Sequence, residues 1–311
     1  MPASVSILIP CFNASRYLGE TLESALRQTL PANEIVVVDD HSTDDSRTIA
    51  KNFGSRVAVL ENPGRGASAA RNYATLHSRG EFLQFLDADD LLEPSALTSR
   101  VEALQRAGAD VAVSGWQRLE PAGGAWSPGK IESGWLPDGR PPGDLDIFRG
   151  FWAPPAAILY RRALCERIGG WRETLPVIQD ARFLLDAARV GGKFVHVPGV
   201  GARYRQHADG SLSTANPARF WRDVLQNSRE VEQLWHSAGR LDAGRRDALA
   251  GAYGHSARVG FVHDRELFAS ASAEVRRFAP TSPSRFLRTA TVLSRLAGYR
   301  AARTVLSPWC R

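Results

Sequence analysis

Short apolar runs alternate with helical patterns along the first 90 positions of the chain. Val5–Pro10 is almost continuously apolar, and Glu34–Asp40 is continuously apolar between its charged ends, as buried strands of a parallel sheet usually are. Between them, Tyr17–Gln28 places apolar residues at helical spacing. Val57–Leu60 and Glu81–Leu86 predict two further strands. This alternation predicts a doubly wound α/β sheet with helices on both faces.

The pattern changes beyond Pro217, where apolar residues recur at helical spacing. Pro280–Pro283 interrupts the helical pattern before a final Arg-rich helix predicted around Arg285–Leu306. The sequence therefore predicts two parts, an α/β domain over residues 1–215 and a helical, Arg-rich region over residues 216–311.

Positive charge is concentrated in this C-terminal region. Residues 217–311 contain 16 Arg and 8 Asp or Glu, a net charge of +8, whereas the whole chain carries +6. A basic region can contact anionic lipid or nucleic acid, but it can equally be an ordinary solvated surface. The final helix does not separate into an apolar and a basic face, so packing against the catalytic domain or against a second chain is as good an interpretation as a membrane-surface helix.

Three scattered cysteines, Cys11, Cys165 and Cys310, match neither a disulfide framework nor a metal-binding spacing. We therefore expect a reducing compartment. The sequence has no run of about 18 uncharged apolar residues, and a first strand at Val5 leaves no room for a signal peptide. We expect a cytoplasmic protein, with peripheral contact to the inner face of a membrane as an option.

Carboxylates gather where two predicted strands end. Asp39 and Asp40 close one strand, and Asp87, Asp89 and Asp90 follow another. Because the carboxyl ends of parallel strands meet at one edge of a sheet, we expect these groups to face one crevice. Clustered carboxylates repel one another unless a cation lies between them, and hard oxygen ligands suit Mg²⁺ or Mn²⁺. An isolated Asp-x-Asp is also common as an acidic cap of the next helix.

A Gly-rich turn over residues 62–68 carries Arg65 and leads into a predicted helix with Arg71, which indicates phosphate binding. The turn lacks the Lys-Ser/Thr pair of a P-loop, and no Gly-x-Gly-x-x-Gly follows the first strand. A simple ATPase and a dinucleotide-dependent dehydrogenase are therefore disfavoured.

Taken together, these motifs resemble family two glycosyltransferases. The resemblance is carried by Val5–Asn13, Val36–Ser42 with its Asp-Asp-x-Ser ending, Ala70-Arg71-Asn72 and Phe85–Asp90. It implies a GT-A type fold, a Rossmann-like and mostly parallel sheet flanked by helices, here with a C-terminal helical extension. It also implies sugar transfer from a nucleotide donor with inversion.

The resemblance continues to about residue 215. Residues 153–170 resemble the family's acceptor-side strand and helix, residues 171–173 and 179–180 resemble the segment that holds the catalytic base, and residues 204–207 with Ser211 and Ser213 resemble the closing loop.

The resemblance also assigns a donor-nucleotide site. The residues implied are Pro10, Phe12, Asn13, Asp39, Asp40, Ser42, Arg71 and Asp87. In this scheme Asp40 accepts a hydrogen bond from a uracil-type base, with Asp39 as the alternative, and Asp87 lies on the ribose side. Arg71 would reach the nucleotide or its phosphates. Helix capping by the aspartates and a surface role for Arg71 are the competing interpretations.

For the metal, the resemblance implies Asp89, with His207 as a second, weaker candidate. A divalent ion, Mn²⁺ or Mg²⁺, would neutralise the diphosphate as it leaves. Asp90 would support its neighbours or cap a helix. Arg203 and Arg205 are further candidates for phosphate contacts.

Inversion needs a carboxylate that accepts the proton of the attacking hydroxyl, and Asp180 is the candidate base. A competing interpretation is a helix N-terminal charge, because Ala181–Val190 predicts a helix. The family usually has Glu where this chain has Gln179, and the missing negative charge should lower the pKa of Asp180.

Four tryptophans, Trp116, Trp126, Trp135 and Trp152, lie in a stretch rich in Gly and Pro. Indole faces often stack on sugars, so this stretch is a candidate acceptor surface, although the rings can equally pin an irregular loop.

The sequence thus predicts a metal-dependent inverting glycosyltransferase that uses a nucleotide sugar, with a UDP-sugar favoured. The acceptor would be a saccharide or a lipid-linked sugar in polysaccharide or glycan synthesis. The alternatives are a nucleotidyltransferase and a non-catalytic relative that binds nucleotide sugars or polyanions, although nucleic acid is a less favoured partner.

Overall fold

The computed structural model describes residues 3–207 and 216–278, together with positions 289, 299, 302 and 304. The described residues form two compact units, one ending at residue 207 and one beginning at residue 216. Ser211 and Ser213 lie outside the described residues, as does nearly all of the helix predicted over Arg285–Leu306. The domain boundary at 215/216 stays a prediction.

The strands of the first unit are β1 (Val5–Cys11), β2 (Glu34–Asp39), β3 (Ala58–Glu61), β4 (Phe82–Phe85), β5 (Leu91–Leu92), β6 (Val111–Ala122), β7 (Ala125–Glu132), β8 (Ile158–Arg161) and β9 (Phe194–Arg205). Its helices are α1 (Leu18–Leu26), α2 (Ser46–Lys51), α3 (Ala67–Leu76), α4 (Ala96–Ala107), α5 (Asp144–Phe148), α6 (Arg162–Ile168) and α7 (Gln179–Arg189), with short 3-10 turns at Gly54–Arg56 and Pro155–Ala157.

These strands form one sheet in the order β3-β2-β1-β4-β8-β6-β9-β5, with β7 paired to β6. The β3-β2-β1-β4 half is parallel, as the alternating pattern predicts. Beyond β4 the sheet is mixed, because β8 runs antiparallel to both β4 and β6 while β9 runs parallel to β6. The predicted α/β sheet flanked by helices is confirmed, with this mixed half added to it.

The parallel half buries its apolar runs on both faces. Every residue of β1 is buried, and so is β2 from Ile35 to Asp39. Helices α1 and α3 supply the covering apolar residues, which include the fully buried Leu18, Leu22 and Ala74. Removing this apolar surface from water contributes about 25 cal/mol per Å². The carboxyl ends of the paired strands β1 and β2 therefore lie side by side.

The Trp-rich stretch proves to be regular over its first part. Residues 111–132 form a long antiparallel hairpin of β6 and β7, with a register irregularity between Gln117 and Leu119. The expectation of an irregular loop is therefore wrong for Trp116 and Trp126, which lie in these strands, whereas Trp135 and Trp152 lie in loops.

The second unit is helical, as predicted, with α8 (Pro217–Ser237), α9 (Ala243–His263) and α10 (Arg265–Phe278). Asn216 and Asp242 cap α8 and α9 by accepting hydrogen bonds from the backbone amides of Arg219 and Arg245. Within the described part of the chain, none of the helices combines the length and hydropathy needed to cross a bilayer.

Candidate active site

One strand pairing brings a distant part of the sequence to the carboxylate motif. The pairing of Leu91 with Arg203 and of Leu92 with Ala202 joins β5 to β9. Because β5 begins one residue after Asp90, the end of β9 lies beside the Asp87–Asp90 turn. This pairing places the predicted closing residues next to the predicted metal motif.

Asp89 and His207 contact each other directly. The Nε2 of His207 lies 2.7 Å from an Asp89 carboxylate oxygen, and both side chains remain partly exposed. The rings of Tyr17 and Trp126 lie 5.1 and 5.5 Å from the imidazole, centroid to centroid. Trp126, which reaches this place from β7, therefore lies beside the metal motif.

Arg205 is buried and makes hydrogen bonds to the Asp87–Asp90 turn and to α1. Its backbone amide donates to Asp90 (3.0 Å), and its guanidinium donates to the Asp89 carbonyl and the Glu20 carboxylate. Arg203 is exposed and donates to Glu93 (2.6 Å). Both arginines predicted as phosphate contacts thus have carboxylate partners within the protein.

Asp90 is a buried carboxylate with one unsatisfied oxygen. Its Oδ2 is without a hydrogen-bond partner in the described parts of the chain. Burial, followed by the charges of Asp89 and Asp87, raises the pKa of Asp90 well above its usual range. This part of the site therefore disfavours added negative charge and would gain from a nearby cation.

Asp87 pairs with Arg71 rather than pointing freely into the crevice. The Arg71 Nη2 lies 2.5 Å from Asp87 Oδ1, and the guanidinium carbon lies 4.4 Å from the centre of the Trp171 ring. Arg71 is buried, so the interpretation as a surface arginine is wrong. Its Nε and Nη1 have no hydrogen-bond partner among the residues described, which leaves donors available beside Asp87.

Asp39 and Asp40 differ sharply in their surroundings. The two Asp40 oxygens accept from the Asn62 side chain (2.7 Å) and from the Gly66 amide (2.8 Å), which fixes the Gly-rich turn before α3. Asp39 is buried at the end of β2, and its Oδ1 has no partner within residues 3–207 and 216–278. A buried polar atom without a protein partner is uncommon and can be satisfied by a water molecule or a ligand. The contacts favour Asp39 over Asp40 as the group that recognises a base.

Hydrogen bonds join the segment that follows β1 to the segment that follows β2. Ser42 Oγ accepts from the Asn13 amide (3.0 Å), and the Asn13 side chain accepts from the Thr43 amide (2.8 Å). Asn13 adopts φ 47°, a left-handed conformation that Asn tolerates better than most residues. Asn13 and Ser42 therefore shape the walls of this pocket through the backbone.

Phe12 and Pro10 both lie near the carboxyl end of β1, but they differ in solvent exposure. Phe12 is 60% exposed, which is unusual for an aromatic side chain beside a buried strand, whereas Pro10 is buried. An exposed ring at this edge offers a face on which a planar base can stack.

Asp180 lies in the first turn of α7, and both its oxygens are engaged. The Trp152 indole Nε1 donates to Oδ2 (2.6 Å), and the Ala181 amide donates to Oδ1 (2.8 Å). Burial raises the pKa of Asp180, which these two hydrogen bonds and the charge of Arg71 partly counteract. The carboxyl group is therefore more basic than an ordinary aspartate.

Gln179 is buried and connects α7 to α3. Its Oε1 accepts from Ser68 Oγ (2.6 Å), and its Nε2 donates to the Pro176 carbonyl (3.2 Å). The residue at this position therefore sets the distance between the helix that carries Asp180 and the helix that carries Arg71.

Tyr204 lies between the metal motif and Asp180. Burial raises the pKa of its hydroxyl, and so do the charges of Asp90, Asp87, Asp180 and Asp89 in that order. Its ring lies 5.7 Å from that of Trp152, edge to face. The carboxylates of the motif and the predicted base are thus parts of one electrostatic site.

The protein offers a divalent ion few ligands of its own. No group of three or more His, Cys, Asp or Glu side chains suited to a metal occurs in the described segments. Asp87 is paired with Arg71, which leaves Asp89 and His207 as the available pair. Mg²⁺ typically takes one or two carboxylates and completes its shell with substrate phosphates and water. The residues present fit an ion that arrives with a diphosphate.

Sequence reasoning missed several contributors to this site. Trp152 was assigned to the acceptor surface in general, and its bond to Asp180 was not foreseen. Glu20 and Trp171 also contribute, as partners of Arg205 and Arg71. The helical position of Glu20 and the aromatic character of Trp171 predict only a surface and a core residue, so no signal in one sequence identifies these contacts.

Comparison with known proteins identifies the family of the chain. The sequence model described as "Glycosyl transferase family 2" matches residues 6–169, more than half of the 311 residues. Glycosyltransferase GlyG of Streptococcus pneumoniae serotype 4 is 33% identical over 129 residues, which cover 40% of this chain and 42% of GlyG. An uncharacterized glycosyltransferase of Rickettsia typhi is 35% identical over 102 residues, 33% of this chain and 32% of that protein. The chain thus spans about a third to two fifths of these curated relatives.

Solved structures show the fold over nearly the whole chain. S. aureus TarS 1–349, crystallised with UDP, superposes with a TM-score of 0.67 at 20% identity, covering 98% of this chain and 91% of that one. A mannosyltransferase from Pyrobaculum calidifontis, in complex with GDP-Man and Mn²⁺, has a TM-score of 0.51 at 19% identity, with 97% and 84% covered. The predicted GT-A type fold is confirmed, and the chain belongs to glycosyl transferase family 2.

Proposed function

We propose that this chain transfers a sugar from a nucleotide-sugar donor, preferably a UDP-sugar, to a saccharide or lipid-linked acceptor with inversion. The observation that supports this most is that Asp180, a carboxylate whose pKa is raised by burial, feels the charges of Asp87 and of Arg71, and that Arg71 is itself hydrogen-bonded to Asp87 of the Asp87–Asp90 motif. Acceptor activation and donor binding need these two kinds of group within one crevice.

The donor pocket is the crevice beyond β1 and β2. Asp39 offers a buried carboxylate oxygen to a base N–H, and Phe12 offers an exposed ring. A uracil base presents such an N–H, whereas the TarS complex with UDP shows only that a protein of this fold binds that nucleotide. Asn13 and Ser42 would hold the pocket walls, with Asp87 and Arg71 on the ribose and phosphate side.

A divalent ion, Mn²⁺ or Mg²⁺, would be held by Asp89 with His207 as a second ligand. When bound, such an ion supplies positive charge at the leaving diphosphate. Arg71 already places two unpartnered donor nitrogens, Nε and Nη1, next to Asp87. The chain therefore contributes a permanent positive group beside the site of the leaving diphosphate.

Asp180 would accept the proton of the acceptor hydroxyl as the new glycosidic bond forms. Its raised pKa makes it a stronger base than a solvated aspartate, and its oxygens retain unused lone pairs. A free lone pair on a fixed carboxylate is the feature that proton abstraction requires.

Two further proposals concern contact with a membrane and an alternative reaction. Contact between the Arg-rich C-terminal region and an anionic membrane would bring the enzyme to a lipid-linked acceptor at the cytoplasmic face. A nucleotidyltransferase remains the alternative reaction, and it is separated from sugar transfer by its product, pyrophosphate instead of a nucleoside diphosphate.

The experiment compares wild-type protein with Asp180→Asn in UDP release from UDP-GlcNAc, UDP-glucose and UDP-galactose with MnCl₂, with water or added saccharides as acceptor. We expect the Asp180→Asn substitution to lower turnover by roughly 10²- to 10⁴-fold, the usual contribution of general base catalysis, while UDP binding is unchanged. Equal turnover in both proteins would remove Asp180 from the mechanism. Pyrophosphate as the product would replace sugar transfer by nucleotidyl transfer.

A further inference from the structure

Trp152 and Asp180 form a hydrogen bond that nothing in the sequence motifs requires. Trp152 lies in the loop before the 3-10 turn Pro155–Ala157, and Asp180 lies 28 residues further on, in α7. The indole nitrogen lies 2.6 Å from the carboxylate oxygen, so the indole N–H donates directly to one oxygen of the candidate base.

We propose that Trp152 is a positioning residue for Asp180, whose indole N–H holds the carboxylate in the orientation that receives the acceptor proton. This inference rests on the proposed function, in which Asp180 is the base. In the step itself, the acceptor O–H bond breaks and its proton goes to an Asp180 oxygen. The acceptor oxygen forms the new bond to the anomeric carbon of the sugar as the bond from that carbon to the diphosphate oxygen breaks, and the nucleoside diphosphate leaves with that electron pair.

An indole suits this role because it donates and cannot accept. It therefore holds one carboxylate oxygen without competing for the proton that the base must take up. The Ala181 amide holds the other oxygen, also as a donor (2.8 Å). A carboxylate has about four lone-pair positions, so about two stay free for the acceptor hydroxyl.

The Trp152 ring packs against two other aromatic rings. It meets Trp116 edge to face at 5.9 Å and Tyr204 edge to face at 5.7 Å, centroid to centroid. Trp116 is buried in β6, and Tyr204 lies in β9 beside the metal motif. The indole thus contacts both Asp180, the proposed base, and β9, the strand that ends beside the metal motif.

Charged and titratable groups face Asp180 from several elements. Arg71 on α3 favours its charged form, and Asp87 after β4 disfavours it. Tyr160 on β8 and Tyr204 on β9 interact with it electrostatically, and burial raises the pKa of each of these tyrosines. Among these neighbours Trp152 is the one joined to the carboxylate by a side-chain hydrogen bond.

The first test observes the bond without a substrate. The full-length protein is labelled with ¹⁵N in its eight tryptophan indoles, and the Trp152 signal is identified by its loss in Trp152→Phe. We expect this signal to lie downfield and to titrate with the pKa of Asp180, and to stop titrating in Asp180→Asn. A Trp152 signal that is independent of pH in the wild-type protein would overturn the proposal.

The second test uses the pH dependence of turnover with the sugar donor that the wild-type protein accepts. Removing the N–H in Trp152→Phe withdraws a hydrogen bond that lowers the pKa of Asp180, so the acid limb of the kcat profile should move to higher pH. We also expect kcat at neutral pH to fall about tenfold, equivalent to ~1.4 kcal/mol, with KM for the donor little changed.

Trp116→Phe is the matched control. The same substitution there also trims an indole beside Trp152, but the Trp116 nitrogen is buried with no hydrogen-bond partner among the described residues. We expect Trp116→Phe to leave the acid limb in place. An equal shift in both variants, or none in Trp152→Phe, would overturn the positioning role.

The outcomes separate the two claims. Full activity of Asp180→Asn would remove the base and this inference together. An inactive Asp180→Asn with an unshifted, fully active Trp152→Phe would overturn the inference alone and leave the proposed function standing.

Discussion

Asp39 and Asp40 are consecutive in the sequence and differ in their hydrogen-bond partners. The Asp40 carboxylate is saturated by Asn62 and Gly66, so it stabilises the turn before α3. The Asp39 carboxylate keeps an unpartnered oxygen at the sheet edge. At the scale of single residues, the hydrogen-bond partners therefore favour Asp39 over Asp40 as the proposed partner of the base, a distinction that the sequence motif alone does not make.

We expect Asp39→Asn to weaken UDP binding and Asp40→Asn to lower the stability of the protein. Asp39→Asn removes the charged acceptor offered to the base and should weaken UDP binding by roughly tenfold or more. Asp40→Asn turns one acceptor into a donor that faces other donors, and it should lower the free energy of unfolding by about 1–3 kcal/mol. Calorimetric titration with UDP and urea unfolding measure the two quantities.

Each of these variants is the control for the other. If Asp40→Asn lost UDP binding while keeping full stability, the assignment of Asp39 to the base would be wrong.

At the scale of elements, the start of α7 is the point where the base is placed. Gln179 both accepts from Ser68 on α3 and donates to the Pro176 carbonyl. The amide of Gln179 does both at every pH, whereas an ionised glutamate at this position could not donate. The departure from the family's usual Glu is therefore built into the local packing.

Gln179→Glu should destabilise the protein at neutral pH. A carboxylate cannot donate to Pro176, and its charge is buried, so we expect a loss of about 1–3 kcal/mol in the free energy of unfolding. Burial would raise the pKa of the new carboxyl group, so the loss should be present at pH 7 and shrink as the pH falls through that pKa. The added charge should also raise the pKa of Asp180.

Gln105→Glu, on the exposed face of α4, is the matched control for Gln179→Glu. Urea unfolding at pH 7 and pH 4 gives the comparison. Equal stability of the two variants at both pH values would contradict the role given to Gln179.

Much of the element pattern follows from the sequence, and the reasons are physical. The strands at Val5, Glu34 and Phe82 are evident because they are buried on both faces, and continuous apolar runs are typical of such an environment. The two-residue strand Leu91–Leu92 gives no such signal, although it brings Arg205 and His207 to the carboxylates. Contacts made by long-range pairing, such as Trp152 with Asp180, depend on the assembled sheet.

At the scale of the whole molecule, every residue assigned to the donor, the metal and the base lies between positions 10 and 207. Those positions belong to the first compact unit, whereas the Arg-rich helices α8–α10 belong to the second. The chemistry and the positive charge of the chain are thus carried by different units.

A protein that ends at residue 215 should therefore fold and bind UDP as the full chain does. We expect a cooperative urea transition and an unchanged Kd for UDP, measured by calorimetric titration beside the full-length protein. Loss of UDP binding in a shortened protein that still unfolds cooperatively would show that the second unit contributes to the donor site.

The most direct test of the central claim is the thermal midpoint of the full-length protein with UDP, GDP, CDP or ADP, each with and without MnCl₂. A ligand at a hundredfold excess over its Kd stabilises the folded state by about 2.7 kcal/mol. We predict a rise of the midpoint with UDP that needs Mn²⁺ and is lost in Asp89→Ala. A midpoint that stays constant with every diphosphate, with or without Mn²⁺, would contradict the proposal that this site binds a nucleotide-sugar donor.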